Sequence, residues 1–243
     1  YLGYAPREME LQLFPTKSEY KNLLSPKIIS TIGKKYSTEL KSKYSINKIE
    51  TAPAFRFSHL WDNYNRKSST NFRIVIALSI MLEESVDILL KIIDTQLVKK
   101  SNFEFFIKPH PTMKLDLLKK EIGKKWPNRF KEKNESTPMI IRKSDLLITG
   151  MSSVGIEAIA MGTPVIVVEN LSGLSYDPIP PSVPKSLWKT CRSSKELLES
   201  LNYFILRSDD DIKINEMLGK KIKSEYFEPI TKKGVQEFLQ FKN

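Results

Sequence analysis

From residue 72 onward, short apolar runs alternate with stretches whose apolar positions recur at helical spacing. Phe72–Leu78 is nearly continuous in apolar residues and reads as a buried strand. Glu83–Val98 places apolar residues at 86, 89, 90, 93 and 97, the stripe of an amphipathic helix. Phe103–Ile107 reads as the next strand. Leu115–Trp126 reads as a helix stopped by Pro127. Met139–Ile141 reads as a short strand or strand-like turn. Asp145–Ile148 is then a strand, Val154–Met161 a helix and Val165–Val168 a strand. Pro178–Pro184 is a proline-rich loop, Asp209–Asp211 a polar loop, and 194–206, 215–225 and 234–241 are helical.

The first part of the chain is less regular. Residues 1–22 carry Pro6, Pro15 and mixed charge. A short strand is expected at 27–32, ended by Gly33, then a helix at 34–44 and a strand at 48–52. Pro53–Phe57 is an aromatic connection, and Asp62–Asn71 is polar enough to be a linker. The expected division is 1–62, 63–225 and 226–243.

Strands alternating with helices imply an α/β fold, a Rossmann-like parallel sheet with flanking helices. Such sheets bind ligands beyond the carboxyl ends of their strands. Two polar turns follow strands here, Lys108-Pro-His-Pro111 and Gly150-Met-Ser-Ser-Val-Gly155. Both are therefore expected on one edge of the sheet.

The 243 residues are 40% hydrophobic and 28% charged, enough for a core and one or two domains. No run approaches the roughly 18 apolar residues of a membrane span. One cysteine, Cys191, excludes an internal disulfide, and with two histidines it makes no ordinary zinc site. A reducing cytoplasm is the expected compartment. The first residue is Tyr, so the chain is expected to be a fragment. Net charge is +11. Solvated lysine-rich helix faces account for that, and so does an anionic membrane surface or an acidic substrate. The basic pairs are scattered and lack an arginine-rich or stacking pattern, which disfavours nucleic acid.

Ser152 or Ser153 can cap the helix that starts near 154, where backbone N–H groups and the helix dipole suit a phosphate. Prolines stiffen the loop around His110, whose imidazole can donate to a phosphate oxygen, and Lys108 adds a positive arm. Glu157 lies one turn beyond Ser153 on the same face, where a carboxylate could accept from ribose hydroxyls. Gly162 suits a helix C-cap, with Pro164 blocking continuation. His59 in the hinge reads as structural or solvated. Arg7, Glu8 and Glu10 could face a cleft, though solvated charge is the plainer reading. Asp209–Asp211 is too polar and consecutive to suggest a metal site.

These residues resemble a family. Ile156–Ile166 looks like the nucleotide-binding helix and strand of GT-B glycosyltransferases. Lys108-Pro-His-Pro111 with Ser152-Ser153 is similar to the His-Pro and Ser motifs of GT-B enzymes that use cytidine-nucleotide donors. Those include bacterial sialyltransferases, capsule Kdo transferases and teichoic-acid glycerophosphotransferases, which build surface polysaccharides. Tyr226-Phe-Glu-Pro229 resembles the crossing to a last helix that packs back on the amino-terminal domain. The resemblance covers 72–240 well and 25–60 weakly. It implies a GT-B carboxyl-terminal domain plus part of an amino-terminal domain.

By that resemblance, His110, Ser152 and Ser153 would hold the donor phosphate and Glu157 the ribose, with Lys108 beside them in the donor-binding set. The enzyme would move a sugar, a nonulosonic acid, from a CMP-linked donor to a bacterial surface glycan or glycolipid, without cofactor or metal. It would work in the cytoplasm, at the inner face of the cell membrane, in peripheral contact with anionic lipid. The catalytic base is not placed on this chain; such enzymes commonly carry it on the first domain. Thr149 stands where many retaining GT-B enzymes have a second glutamate, and the glycine-rich loop is absent at Ser79–Leu82. The alternatives are a UDP-sugar transferase, a UDP-sugar 2-epimerase, and a non-catalytic nucleotide-binding fragment.

Overall fold

The computed structural model describes residues 17–22, 24, 26–43, 48–63, 69–170 and 178–240. Arg7, Glu8 and Glu10 lie outside them, as does part of the expected linker. The chain forms two compact units, residues 64–219 and residues 1–63 with 220–243.

The larger unit is built on six parallel strands: β3 (Phe72–Ala77), β4 (Phe103–Lys108), β5 (Phe130–Glu132), β6 (Leu146–Thr149), β7 (Val165–Val168) and β8 (Trp188–Cys191). Their order across the sheet is β5-β4-β3-β6-β7-β8. Counted from β3, that is 3-2-1-4-5-6, the Rossmann order. The chain adds strands outward in one direction, then returns to β3 and adds them in the other. The crevice where the direction reverses lies between β3 and β6.

Both faces of the sheet are covered, which is why the central strands read as unbroken apolar runs. Ile74, Ile76, Phe105, Ile107, Leu146, Ile148, Ile166 and Val168 share one core with α3 (Leu82–Asp94), α4 (Leu115–Ile122) and α7 (Ser194–Ile205). The alternate residues Val75, Leu147, Val165 and Val167 are equally buried. On the other side α6 (Val154–Ala160) packs against β6 and β7, and α5 (Thr137–Arg142) against β3 and α6.

Several expectations are corrected. Met139–Ile141 is helical, inside α5. Ser136 precedes that helix and Pro138 sits in its first turn, where its missing N–H costs nothing. Asp209–Asp211 is not a loop but the first turn of α8 (Asp209–Tyr226). Ser208 Oγ accepts the Asp211 N–H at 3.2 Å, and the Asp211 carboxylate accepts the Ser208 N–H at 3.0 Å. That reciprocal capping starts the helix six residues early. The Ser208 hydrogen bonds also hold the Asp211 carboxyl below its usual range. Strands β5 and β8 were not expected at all.

Cys191 closes β8 at 1% exposure, and burial pushes its thiol up to about 12. Thiolate is the reactive form. A thiol reagent at pH 8 is therefore expected to leave the native chain unmodified and to label it only on unfolding. Rapid stoichiometric labelling of folded protein would contradict this burial.

The smaller unit pairs β1 (Ile28–Thr31) with β2 (Lys48–Thr51) in parallel, joined through α2 (Lys34–Lys43). A helix α1 (Lys17–Lys21) precedes them. A buried hydroxyl chain runs from Thr31 to Ser37 at 2.6 Å and on to Thr51 at 2.7 Å. The aromatic connection is a 3₁₀ segment, Phe55–Trp61. The end of α8 is stitched to these elements. The Glu228 N–H donates to the Ile32 carbonyl at 2.7 Å, and the Ala54 N–H to the Glu228 carbonyl at 2.8 Å. Tyr226 packs edge-on against Tyr36, and Phe227 against Phe57. The last helix, α9 (Lys232–Gln240), sets Phe238 against Phe55.

Candidate functional site

The register places both polar turns beside the end of β3. Ala77 pairs with Lys108 on one side and with Thr149 on the other. Lys108 and Thr149 are thus two strand spacings apart, about 10 Å. His110 follows two residues after Lys108; Ser152 and Ser153 follow three and four after Thr149. All leave the same, carboxyl-terminal edge. The structure therefore brings Lys108, His110, Ser152 and Ser153 to the two sides of one strand end, with the second pair at the reversal of strand order. All four, and Glu157, are half-buried.

His110 is held by its own loop. The Met113 N–H donates to the His110 carbonyl at 2.8 Å, closing a turn after Pro109. The ring Nδ1 lies 2.8 Å from Thr112 Oγ1 and receives the Thr112 N–H at 3.3 Å. A ring nitrogen that accepts a backbone N–H carries no proton in the neutral imidazole. Nε2 is then the N–H donor, available to an anion. The Thr112 N–H favours this tautomer.

The two serines divide their work. Ser152 Oγ accepts the Val154 N–H at 3.4 Å, so Ser152 rather than Ser153 bonds the start of α6. Ser153 holds the N-cap position without a side-chain cap bond. Among the described residues its hydroxyl has no protein partner. Glu157 lies in the first turn of α6. Gly162 ends the helix as expected, at φ +81°, with its N–H on the Ile159 carbonyl at 2.9 Å and the Thr163 N–H on Ala158 at 2.9 Å. His59 lies in the 3₁₀ segment of the smaller unit.

The sequence reading missed Glu84. It sits in the first turn of α3 and is 8% exposed. Its Oε1 accepts the Met151 N–H at 3.3 Å. A signal was present: Glu84 lies one turn before Ile88, on the buried stripe of α3, where a carboxylate is out of place without a partner. The loop after β3 is fixed too. Met81 N–H donates to Ser79 Oγ at 3.2 Å, and Ser85 Oγ to the Ser79 carbonyl at 3.1 Å.

A separate hollow of about 250 Å³ is lined by Arg73, Glu104, Phe106, Lys131, Lys133 and Lys143, among others. Lys131 bonds Glu104 at 2.8 Å and Lys143 bonds Glu135 at 2.7 Å. The Lys143 bond holds the Glu135 carboxyl below its usual range. Among the described residues no group of three or more His, Cys, Asp or Glu could hold a metal ion. None of the described helices is long and apolar enough to cross a membrane.

No protein-family model and no curated protein matches the chain by sequence. Solved structures match it by fold. A glycosyltransferase from Rickettsia africae aligns with 94% of this chain and 67% of its own, at TM-score 0.59 and 14% identity. The S. aureus MnaA–UDP structure aligns with 96% of this chain and 64% of its own, at TM-score 0.59 and 14% identity. A UDP-N-acetylglucosamine 2-epimerase from Listeria monocytogenes aligns with 94% and 69%, at TM-score 0.57 and 16% identity. The chain spans 46% of the length of other glycosyltransferase structures that it matches. Its fold is the GT-B fold that these glycosyltransferase and 2-epimerase structures share, as the resemblance at Ile156–Ile166 implied.

Proposed function

We propose that this chain is the donor-binding part of a glycosyltransferase that uses a nucleotide-activated sugar. The observation that carries the reading is the placement of two phosphate-suited turns on either side of β3, at the reversal of strand order. Residues 64–219 would bind the donor, and 1–63 with 220–243 would belong to the acceptor side. Lys108, the Nε2–H of His110 and the hydroxyls of Ser152 and Ser153 hold the phosphate, and Glu157 accepts from the ribose. As the glycosidic bond to phosphate breaks, negative charge gathers on the leaving oxygen. Fixed donors at that point stabilise the developing charge without reorganising. These residues supply the positive electrostatics themselves, so the reading takes no cofactor. The acceptor is a surface glycan or glycolipid, and the +11 charge suits a site at the inner face of an anionic membrane.

The finer reading is a CMP-linked nonulosonic acid donor. It rests on the resemblance of the paired His-Pro and Ser-Ser turns to cytidine-donor enzymes. A UDP-sugar is the second reading, supported by the similarity to a structure solved with UDP. Similarity to a 2-epimerase adds a UDP-sugar isomerase to that branch. Calorimetric titration with CMP, CDP, UDP and GDP separates them. Tighter binding of CMP or CDP supports the cytidine donor, and tighter binding of UDP replaces it with the second reading. Absence of binding by all four contradicts the donor site on this chain.

A further inference from the structure

We infer that Glu84 is the positioning residue of the donor's phosphate turn; this rests on the donor-site reading. Glu84 belongs to α3, which follows β3, whereas the turn it holds follows β6. These are the two loops that flank the crevice at the reversal of strand order. Its carboxylate accepts the N–H of Met151, the residue immediately before the serines. Gly150 makes the contact feasible, since a Cβ there would overlap the Glu84 carboxyl group. A buried carboxylate without a hydrogen-bonding partner is costly, so the turn resists leaving it. The path from Ser152 to Ser153 is thereby anchored from outside its own short helix, and α6 itself supplies no side-chain cap bond at Ser153.

The arrangement carries an internal opposition. The hydrogen bond holds the turn in place, but the negative charge stands one peptide away from where an anion would bind. A glutamine keeps the acceptor and sheds the charge; an alanine sheds both. Glu84→Ala is therefore expected to speed hydrogen exchange at Met151 and to weaken CMP or UDP binding about tenfold. Glu84→Gln is expected to retain the protection of Met151 and to bind the nucleotide at least as tightly as the wild type. Glutamine keeps the bulk as well as the acceptor, so Glu84→Met, which keeps the bulk alone, is measured beside it: exchange at Met151 as fast as in Glu84→Ala is expected, where a purely space-filling role would leave Met151 protected.

Two results would overturn the inference: unchanged protection and affinity in Glu84→Ala, or Glu84→Gln as defective as Glu84→Ala. The wild type and His110→Ala are measured alongside. If neither nucleotide binds the wild type, the donor-site reading fails on its own. Glu84's hold on the turn is still decided by the exchange at Met151. Should Glu84→Ala not fold, Glu84→Met decides the case: faster exchange at Met151 with weaker nucleotide binding supports the inference, and wild-type protection and affinity overturn it.

Discussion

Replacing His110 by alanine is expected to weaken nucleotide binding about 10- to 100-fold while leaving stability unchanged. The side chain is half-buried at the sheet edge, and among the described residues its hydrogen bonds are confined to Thr112, two residues away. Removing it therefore disturbs little of the fold. What is lost is one hydrogen bond to a charged group, worth about 1.5–3 kcal/mol. At about 1.4 kcal/mol per tenfold, that gives the stated range. Titration of both proteins with the preferred nucleotide, beside their thermal unfolding, measures the two effects separately. Equal affinities would remove His110 from the site.

The largest loss of stability is expected from Gly33→Ala. Gly33 follows β1 in the smaller unit, where the backbone of Tyr226 presses against it. A Cβ there would come within 2.8 Å of the Tyr226 Cα and overlap its carbonyl group outright. The obstacle is backbone, already tied by the Glu228 N–H to the Ile32 carbonyl at 2.7 Å, so it yields only by breaking that link. Overpacking of this kind costs about 3 kcal/mol. Urea unfolding, followed by hydrogen exchange at 28–32 and 48–51, reads it in the unit concerned. A variant with wild-type protection would show that the close approach is not a constraint.

The central strands were legible because both faces of each are buried. Phe72–Ala77 and Val165–Val168 could only read as apolar runs. The two missed strands are the two edges of the sheet, and their sequences show why. Phe130-Lys-Glu132 buries only its first residue, and Trp188-Lys-Thr-Cys191 buries only its ends. An edge strand is identified by its neighbour's hydrogen bonds, which no local pattern records. Met139-Ile-Ile141 misled because β-branched residues favour strands, whereas the preceding Ser136 and Pro138 together with packing against α6 made a helix. In α8 the local capping between Ser208 and Asp211 outweighed the look of an acidic loop.

The candidate site divides along the same line. His110, Ser152 and Ser153 were legible because each follows a recognisable strand, and parallel strands send their following loops to one edge. Strand order, which puts one turn on each side of β3, was not legible, since it depends on pairing between distant segments. Glu84 and Thr112 were missed for different reasons. Thr112 acts through a ring nitrogen two residues away, and its residue type carries no signal of that. Glu84 is 67 residues from the N–H it holds, and only its place on the apolar stripe of α3 marked it.

The most direct test of the donor site is a crystal structure of this chain with the nucleotide that binds it best. The phosphate is expected at the carboxyl edge of β3, within hydrogen-bonding distance of His110 Nε2 and the Ser153 hydroxyl, with the ribose near Glu157. A nucleotide seated elsewhere, for example in the hollow lined by Arg73, Lys131 and Lys133, would contradict the assignment.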